Sequence, residues 1–216
     1  MLDSRPKRIL FHTGNKGKFL EASEFMISRG IRLELLSDHK AEIRVIEPQM
    51  NAFNEVATSK LRQVLEQIGD EFDDDWIMVE DSGLLIDELG GFPGPYSSYV
   101  YSRIGPNGIL RLMDGVETRN ARYTASLSVW DGNGIQSFEG SCEGIIALEP
   151  KGDQGFGYDP IFIPIEGDGR TFSEMTKLEK SRLSHRANAL NILSDAILVP
   201  SICCLLYTSP SPRDCQ

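Results

Sequence analysis

Apolar positions divide the chain into strands and helices. The run Ile9-Leu10-Phe11 is continuous, which reads as a buried strand, and Gly14 and Asn15 break it before a helical pattern begins in "KFLEASEFMISRG". Phe19, Leu20, Ala22, Phe25, Met26 and Ile27 predict one broad apolar helix face, with Gly30 as the stop. "IRLELLS" alternates as a second strand, so the chain is expected to open as a βαβ unit. Phe53, Val56, Ala57, Leu61, Val64, Leu65 and Ile68 then recur at helical spacing, with Asn51 as the candidate cap and Gly69 as the stop. "WIMVED" reads as a buried strand ending in two carboxylates. "GLLIDELGGFPGPY" follows as a Gly/Pro-rich loop, and "PNGILRLMDG" as a short helix opened by proline and closed by glycine.

The second half changes character. "RYTASLSVW" and "IQSFEGSCEGIIAL" flank "DGNG", whose dipeptides predict an antiparallel hairpin. Glycine-rich "KGDQGFGYDPIFIP" leads into a short strand. "TKLEKSRLSHRANALNILSDAIL" predicts one closing helix, with Thr176 and Glu179 in capping-box spacing. The order of elements is that of an α/β protein, and residues 1–198 contain no internal repeat. From Val199 the helical period gives way to "VPSICCLLYTSPSPRDCQ", whose end is similar to translated adapter sequence. Residues 199–216 are therefore expected to be a non-native or disordered tail, and residues 1–198 one domain.

Composition narrows the reading. The 216 residues, 40% apolar and 25% charged, suit a soluble domain with a real core. A net charge of −10 argues against nucleic acid or a membrane surface as partner, because both rely on many cations neutralising phosphates. A small anion remains admissible where local cations or a metal reverse the field. No apolar run approaches a membrane span or a signal peptide, so a cytoplasmic location is expected. Cys142 stands alone and is expected to be buried and inert; Cys203, Cys204 and Cys215 have no metal-ligand spacing.

Four segments carry candidate chemistry. In "HTGNKGK" a strand, a polar turn and a helix N-terminus bring together oriented N–H groups, the Thr13 hydroxyl, the Asn15 amide and the Lys18 ammonium, the parts of a phosphate cradle. The spacing matches neither a Walker A loop nor a dinucleotide fingerprint, and a plain helix cap with a solvated lysine is the alternative. In "VEDSG", Glu80 and Asp81 end an apolar strand where α/β sheets bind ligands, and carboxylates there suit Mg²⁺ held with substrate phosphates. Adjacent strand residues point to opposite faces, so only one need face a ligand. "GFGYDP" sets Phe156 and Tyr158 around a glycine beside Asp159, suited either to stacking and hydrogen-bonding a base or to core packing. "SHR" puts a hydroxyl, an imidazole and a guanidinium at Ser184, His185 and Arg186, with Lys180 one turn earlier.

"TGNKGK", "VEDSGL", "LGGFPGPYS", "GFGYDPIF" and "EKSRLSHRANAL", in this order and at these separations, closely resemble the inosine triphosphate pyrophosphatase family over roughly residues 7–197. The resemblance implies an elongated α/β fold with a long curved mixed sheet flanked by helices, two lobes around a central cleft, and a homodimer. It implies hydrolysis of ITP, dITP and XTP to the monophosphate and pyrophosphate with Mg²⁺, for which Mn²⁺ substitutes. Thr13, Gly14, Asn15, Lys18 and Lys60 would then hold the triphosphate. Asp81, with Lys18, would carry the chemistry, binding the metal with Glu47 or orienting the attacking water; Ser82 would adjoin the substrate.

On the same resemblance Phe156 would stack on the base with Tyr158 nearby. Asp159, Lys180, Ser184, His185 and Arg186 would line the base pocket. Donation by His185 and Arg186 toward O6 would favour a 6-keto purine over adenine, and unpaired donors can reject a wrong partner by about 10⁴-fold. Glu80 stands where many bacterial members have Asp. Two rival readings are a Maf-type nucleotide pyrophosphatase, against which "SHR" and "GFGYDP" argue, and a non-catalytic nucleotide-binding module, which requires Asp81 to have lost its role.

Overall fold

The computed structural model describes residues 6–198. One six-stranded sheet has the order β2-β1-β3-β4-β5-β6. Its strands are β1 (Ile9–His12), β2 (Leu33–Leu35), β3 (Trp76–Ile86), β4 (Asn120–Trp130), β5 (Ile135–Ile146) and β6 (Phe162–Pro164). The helices are α1 (Lys16–Ser28), α2 (Phe53–Ile68), α3 (Ser97–Leu112), α4 (Lys177–Ser181) and α5 (His185–Leu198). β1 pairs in parallel with β2 and β3, completing the expected βαβ opening, while β3 through β6 pair antiparallel. The result is the mixed α/β sheet flanked by helices that the resemblance implied. Among the described residues, no helix is long and apolar enough to cross a membrane. The cysteine-bearing tail lies outside the described residues.

Alternation along β3 sorts the core. Trp76 and Met78 join Ile9, Phe11, Ala22, Met26, Leu190 and Leu193 on the face covered by α1 and α5. Ile77 and Val79 join Leu10, Leu61, Val64 and Ile68 on the face covered by α2. Farther along the strand, Leu84 and Ile86 enter a separate cluster with Ile109, Tyr123, Phe162 and Phe172. Apolar packing thus holds both ends of the long strand, and the polar Glu80-Asp81-Ser82 lie between them.

Several local expectations are corrected. The strand does not end at Asp81: Gly83–Ile86 continue it, because β4 pairs with it as far as Ile86. Gly83 permits this, since a Cβ there would lie 2.4 Å from the Gly94 carbonyl oxygen. The "GGFPGPY" segment packs directly on β3 at this point, and Ser97 Oγ accepts from the Leu84 N–H at 2.9 Å. The short helix opened by Pro106 is the second half of α3, which breaks at Gly105 (φ 59°). α2 is preceded by Ala52, without a side-chain cap, rather than by Asn51. On α1 only Ala22 and Met26 are buried, and Leu20 and Ile27 face solvent, so its apolar face is narrower than the spacing suggested. The closing helix is two helices, α4 with its Thr176/Glu179 capping box and α5 after a break at Arg182–Ser184. Cys142 is a buried free thiol, as expected, and burial pushes its pKa up to about 12.

α5 lies against β5 so closely that a Cβ at Gly140 would stand 2.2 Å from the Ala189 backbone nitrogen. Backbone cannot yield there as a side-chain tip can. Gly140→Ala is expected to destabilise the fold by about 1–3 kcal/mol through overpacking. A chemical-denaturation midpoint equal to that of the parent chain would contradict the contact.

Candidate active site

The site begins where β1 ends. Its pairing with β3 stops at His12 opposite Val79, so β3 is open on that edge at Glu80 and Asp81. The Thr13-Gly14-Asn15 turn leads into α1. Thr13 Oγ1 accepts from the Asn15 N–H at 3.1 Å, and Asn15 Oδ1 caps the helix by accepting from the Lys18 N–H at 3.1 Å. Those oxygens are therefore occupied by the turn. For an anion the turn offers the first N–H groups of α1, the Asn15 amide N–H₂ and the Lys18 ammonium. Gly14 is open, with nothing within 4 Å of where a Cβ would sit, whereas Gly17 is covered: a Cβ there would lie 2.6 Å from the Phe156 ring.

Glu80 and Asp81 go to opposite faces of β3. Glu80 turns to the α1 and α5 face, fully buried, and accepts from Arg186 Nε at 2.8 Å and Nη2 at 2.9 Å. Lys18 Nζ lies 3.5 Å from Glu80. Burial opposes the Glu80 charge, but Arg186 and Lys18 outweigh it and hold the carboxyl well below the usual carboxylate range. Lys18 itself is pushed down, because its burial exceeds the attraction of Glu80.

Asp81 turns to the α2 face. Its Oδ1 accepts from Lys60 Nζ at 3.0 Å, and the same ammonium donates to Glu47 Oε1 at 2.9 Å. Its Oδ2 is buried with no hydrogen-bond partner among the described residues. Burial raises the Asp81 pKa against the pull of Lys60 and Lys18. Lys60 is raised: burial disfavours its charge, but Asp81 and Glu47 prevail.

The residues that the resemblance assigns to a base pocket converge from three segments. Lys180 Nζ donates to Asp159 Oδ2 at 2.7 Å and Glu21 Oε1 at 2.8 Å, and it stands 4.8 Å from the Phe156 ring centroid. Asp159 Oδ2 also accepts from the Phe156 N–H at 2.8 Å, fixing the glycine-rich turn. Burial raises the Asp159 carboxyl despite Lys180. Arg186 reaches Glu21, and its Nη2 stands 3.4 Å from Ser82 Oγ. Phe156 remains half-buried beneath both cations.

Three placements differ from the sequence reading. Tyr158 is a core residue, 3% exposed, with its hydroxyl donating to the Ser97 carbonyl at 3.1 Å and its ring edge-on to Tyr101. Ser184 does not share a continuous helix with Lys180; its Oγ caps α5 by accepting from the Ala187 N–H at 3.2 Å. Arg186 is largely committed to Glu80 and Glu21 rather than free to donate. His185 stacks on Tyr123 at 4.6 Å, with Nδ1 buried and unpartnered among the described residues. Burial, then Arg186, hold it well below the usual imidazole value and therefore neutral.

Sequence reasoning missed Glu21. It lies three residues after Lys18, hence on the same face of α1, and that spacing was the available signal. Its carboxylate joins Lys180 to Arg186 and so ties α1 to α4 and α5.

A mixed sheet whose charged centre lies by the β1–β3 boundary, where the strand order reverses, defines an α/β protein with that centre at a topological switch point. The family model described as the Ham1 family matches residues 9–196, and the chain belongs to that family. It is 42% identical over 184 residues to a protein of Methanopyrus kandleri named dITP/XTP pyrophosphatase, covering 85% of this chain and 92% of that one. A Thermococcus kodakarensis protein of the same name is 40% identical over 183 residues, covering 85% and 93%. Among solved structures, a HAM1 protein from Coxiella burnetii superposes with a TM-score of 0.75 at 28% identity, covering 88% of this chain and 98% of that chain.

Proposed function

We propose that this chain hydrolyses the noncanonical purine triphosphates ITP, dITP and XTP to the monophosphate and pyrophosphate. The observation that carries the reading is Asp81, whose one oxygen is bonded to Lys60 while the other is buried without a partner among the described residues, on the strand whose neighbouring acid, Glu80, meets Lys18 of α1 and Arg186. The names of the relatives support the same substrate class.

In this reading the first turn of α1, Asn15, Lys18 and Lys60 take the phosphates. Their charges sit where negative charge develops in the transition state. Asp81 Oδ2 orients the attacking water and accepts its proton, a task suited to a carboxyl raised by burial. Phe156 stacks on the base. His185, neutral, and the remaining N–H of Arg186 face a 6-keto edge, with Lys180 and Asp159 setting the width of the slot. Tyr158 supports this wall from the core. Residues 1–198 act as one domain, in the cytoplasm with its nucleotide pool, and as a homodimer.

A divalent cation fits the donor set. Asp81 Oδ2 has no other partner among the described residues, and Glu47 approaches the same lysine from the exposed side. Two acids suffice for Mg²⁺, which keeps several waters and is bound by one or two carboxylates plus substrate phosphates. When bound, such an ion neutralises phosphate charge and polarises water. Glu47 and Asp81 would hold it.

The test is product release from ITP, XTP, GTP and ATP with and without Mg²⁺. Metal-dependent pyrophosphate from ITP and XTP, well above GTP and ATP, is the expected result. Binding of ITP without cleavage would make the chain a binding module instead.

A further inference from the structure

Residues 43–47 have no regular secondary structure, yet alternate residues, Arg44 and Ile46, have both backbone groups bonded, as on one edge of a paired strand. The Ile46 N–H donates to Gln63 Oε1 at 2.8 Å, and Gln63 Nε2 returns a bond to the Ile46 carbonyl at 2.9 Å. Two residues earlier the pattern repeats. The Arg44 N–H donates to Gln67 Oε1 at 3.0 Å, and Gln67 Nε2 donates to the Arg44 carbonyl at 2.8 Å. Both glutamines project from α2, four residues apart and so on one face. Each amide also donates to its own helix, to the Ser59 carbonyl at 3.4 Å and the Gln63 carbonyl at 2.8 Å. Each amide oxygen has a donor and each amide nitrogen two acceptors, so the side chains are held against rotation. Alternating with the clamped residues, Ile43 and Val45 pack on the α2-side core.

The clamp ends one residue before Glu47, and Pro48 keeps Glu47 extended. Lys60, one turn before Gln63 on the same helix, then receives the Glu47 carboxylate and passes on to Asp81. One helix thus holds both the segment and the ammonium that joins its acid to the buried one.

We infer that Gln63 and Gln67 are positioning residues for the divalent-cation site: they fix segment 43–47 along α2 so that Glu47 is presented opposite Asp81. This rests on the reading of Glu47 and Asp81 as the residues that hold the ion. Glu47 is itself exposed, with 64% of its side chain in solvent, and among the described residues only Lys60 restrains it directly. Without the clamp it would sample positions away from Asp81, at a cost in metal affinity rather than in the chemical step.

The experiment compares the parent chain with Gln63→Ala/Gln67→Ala, Gln63→Ala alone and Glu47→Gln. Mn²⁺ binding is followed by the loss of its free-ion EPR signal, with a non-hydrolysable ITP analogue present. Mg²⁺ dependence of pyrophosphate release and metal-free analogue binding are measured beside it. Groups that orient metal ligands contribute about 10–100-fold to affinity. The double variant is expected to raise the Mn²⁺ Kd and the half-saturating Mg²⁺ concentration by about that factor, with kcat at saturating Mg²⁺ and metal-free binding kept. Gln63→Ala, whose bonds adjoin Glu47, is expected to show a smaller rise and serves if the double variant does not fold. Unchanged metal affinity in the folded glutamine variants, with affinity lost in Glu47→Gln, would overturn the positioning role and leave the cation site standing. Unchanged affinity in Glu47→Gln would overturn both, while pyrophosphate release from ITP would still report on the activity.

Discussion

Asp81→Asn is expected to lower kcat for ITP by about 10²–10⁴-fold, the usual contribution of a positioned proton acceptor, while triphosphate binding stays measurable. The substitution keeps the shape of the side chain and an oxygen that accepts from Lys60 at the position of Oδ1. It removes the charge and replaces the free buried Oδ2 with an amide or its equivalent. The effect should therefore fall on turnover. Single-turnover kinetics and calorimetric titration with the analogue separate the two, and a variant that still turns over ITP at the parent rate would exclude Asp81 from the chemistry.

The second large effect is on stability. Arg186→Met should destabilise the fold by about 3–5 kcal/mol, because it strips a fully buried carboxylate of its main partner. The loss has a pH signature. In the parent chain the Glu80 pKa is depressed on folding, so its contribution is present above the ordinary carboxylate range near 4.5 and is lost as pH falls toward the depressed value. Without Arg186, burial dominates and raises that pKa, so the variant should regain stability as pH falls and Glu80 protonates. Between pH 4.5 and 8 the parent midpoint should then be insensitive to this group while the variant midpoint rises as pH falls, and Glu80→Gln/Arg186→Met should recover part of the loss. Parallel pH curves would mean the charge pair does not matter to the fold.

Local chemistry was legible in the sequence wherever the signal and its effect share a segment. Asn15 caps α1, Gly69 ends α2, and Asp131 closes the β4–β5 turn by accepting from the N–H groups of Asn133 and Gly134. Partners were not legible. Arg186 meets Glu80 across 106 positions, and Lys60 chooses Asp81 because a helix lies over a strand. The length of β3 was misread because glycine after two acids looks like a turn; only its antiparallel neighbour shows why the strand continues. For Tyr158 the motif leaves base contact and core packing open, and packing decides it through neighbours no local signal names, Ser97 and Tyr101 of α3.

Two adjacent acids on opposite faces of one strand make the pairing register of β3 a chemical setting as well as a mechanical one. A slip of one residue would carry every side chain to the other face. Asp81 would then face the guanidinium and Glu80 the lysine, so the oxygen left free would hang on a longer arm. The apolar residues on either side resist that slip, since the same step would move Met78 and Val79 out of their clusters. Hydrophobic order along eleven residues thereby decides which of two neighbouring acids keeps a buried oxygen without a partner among the described residues.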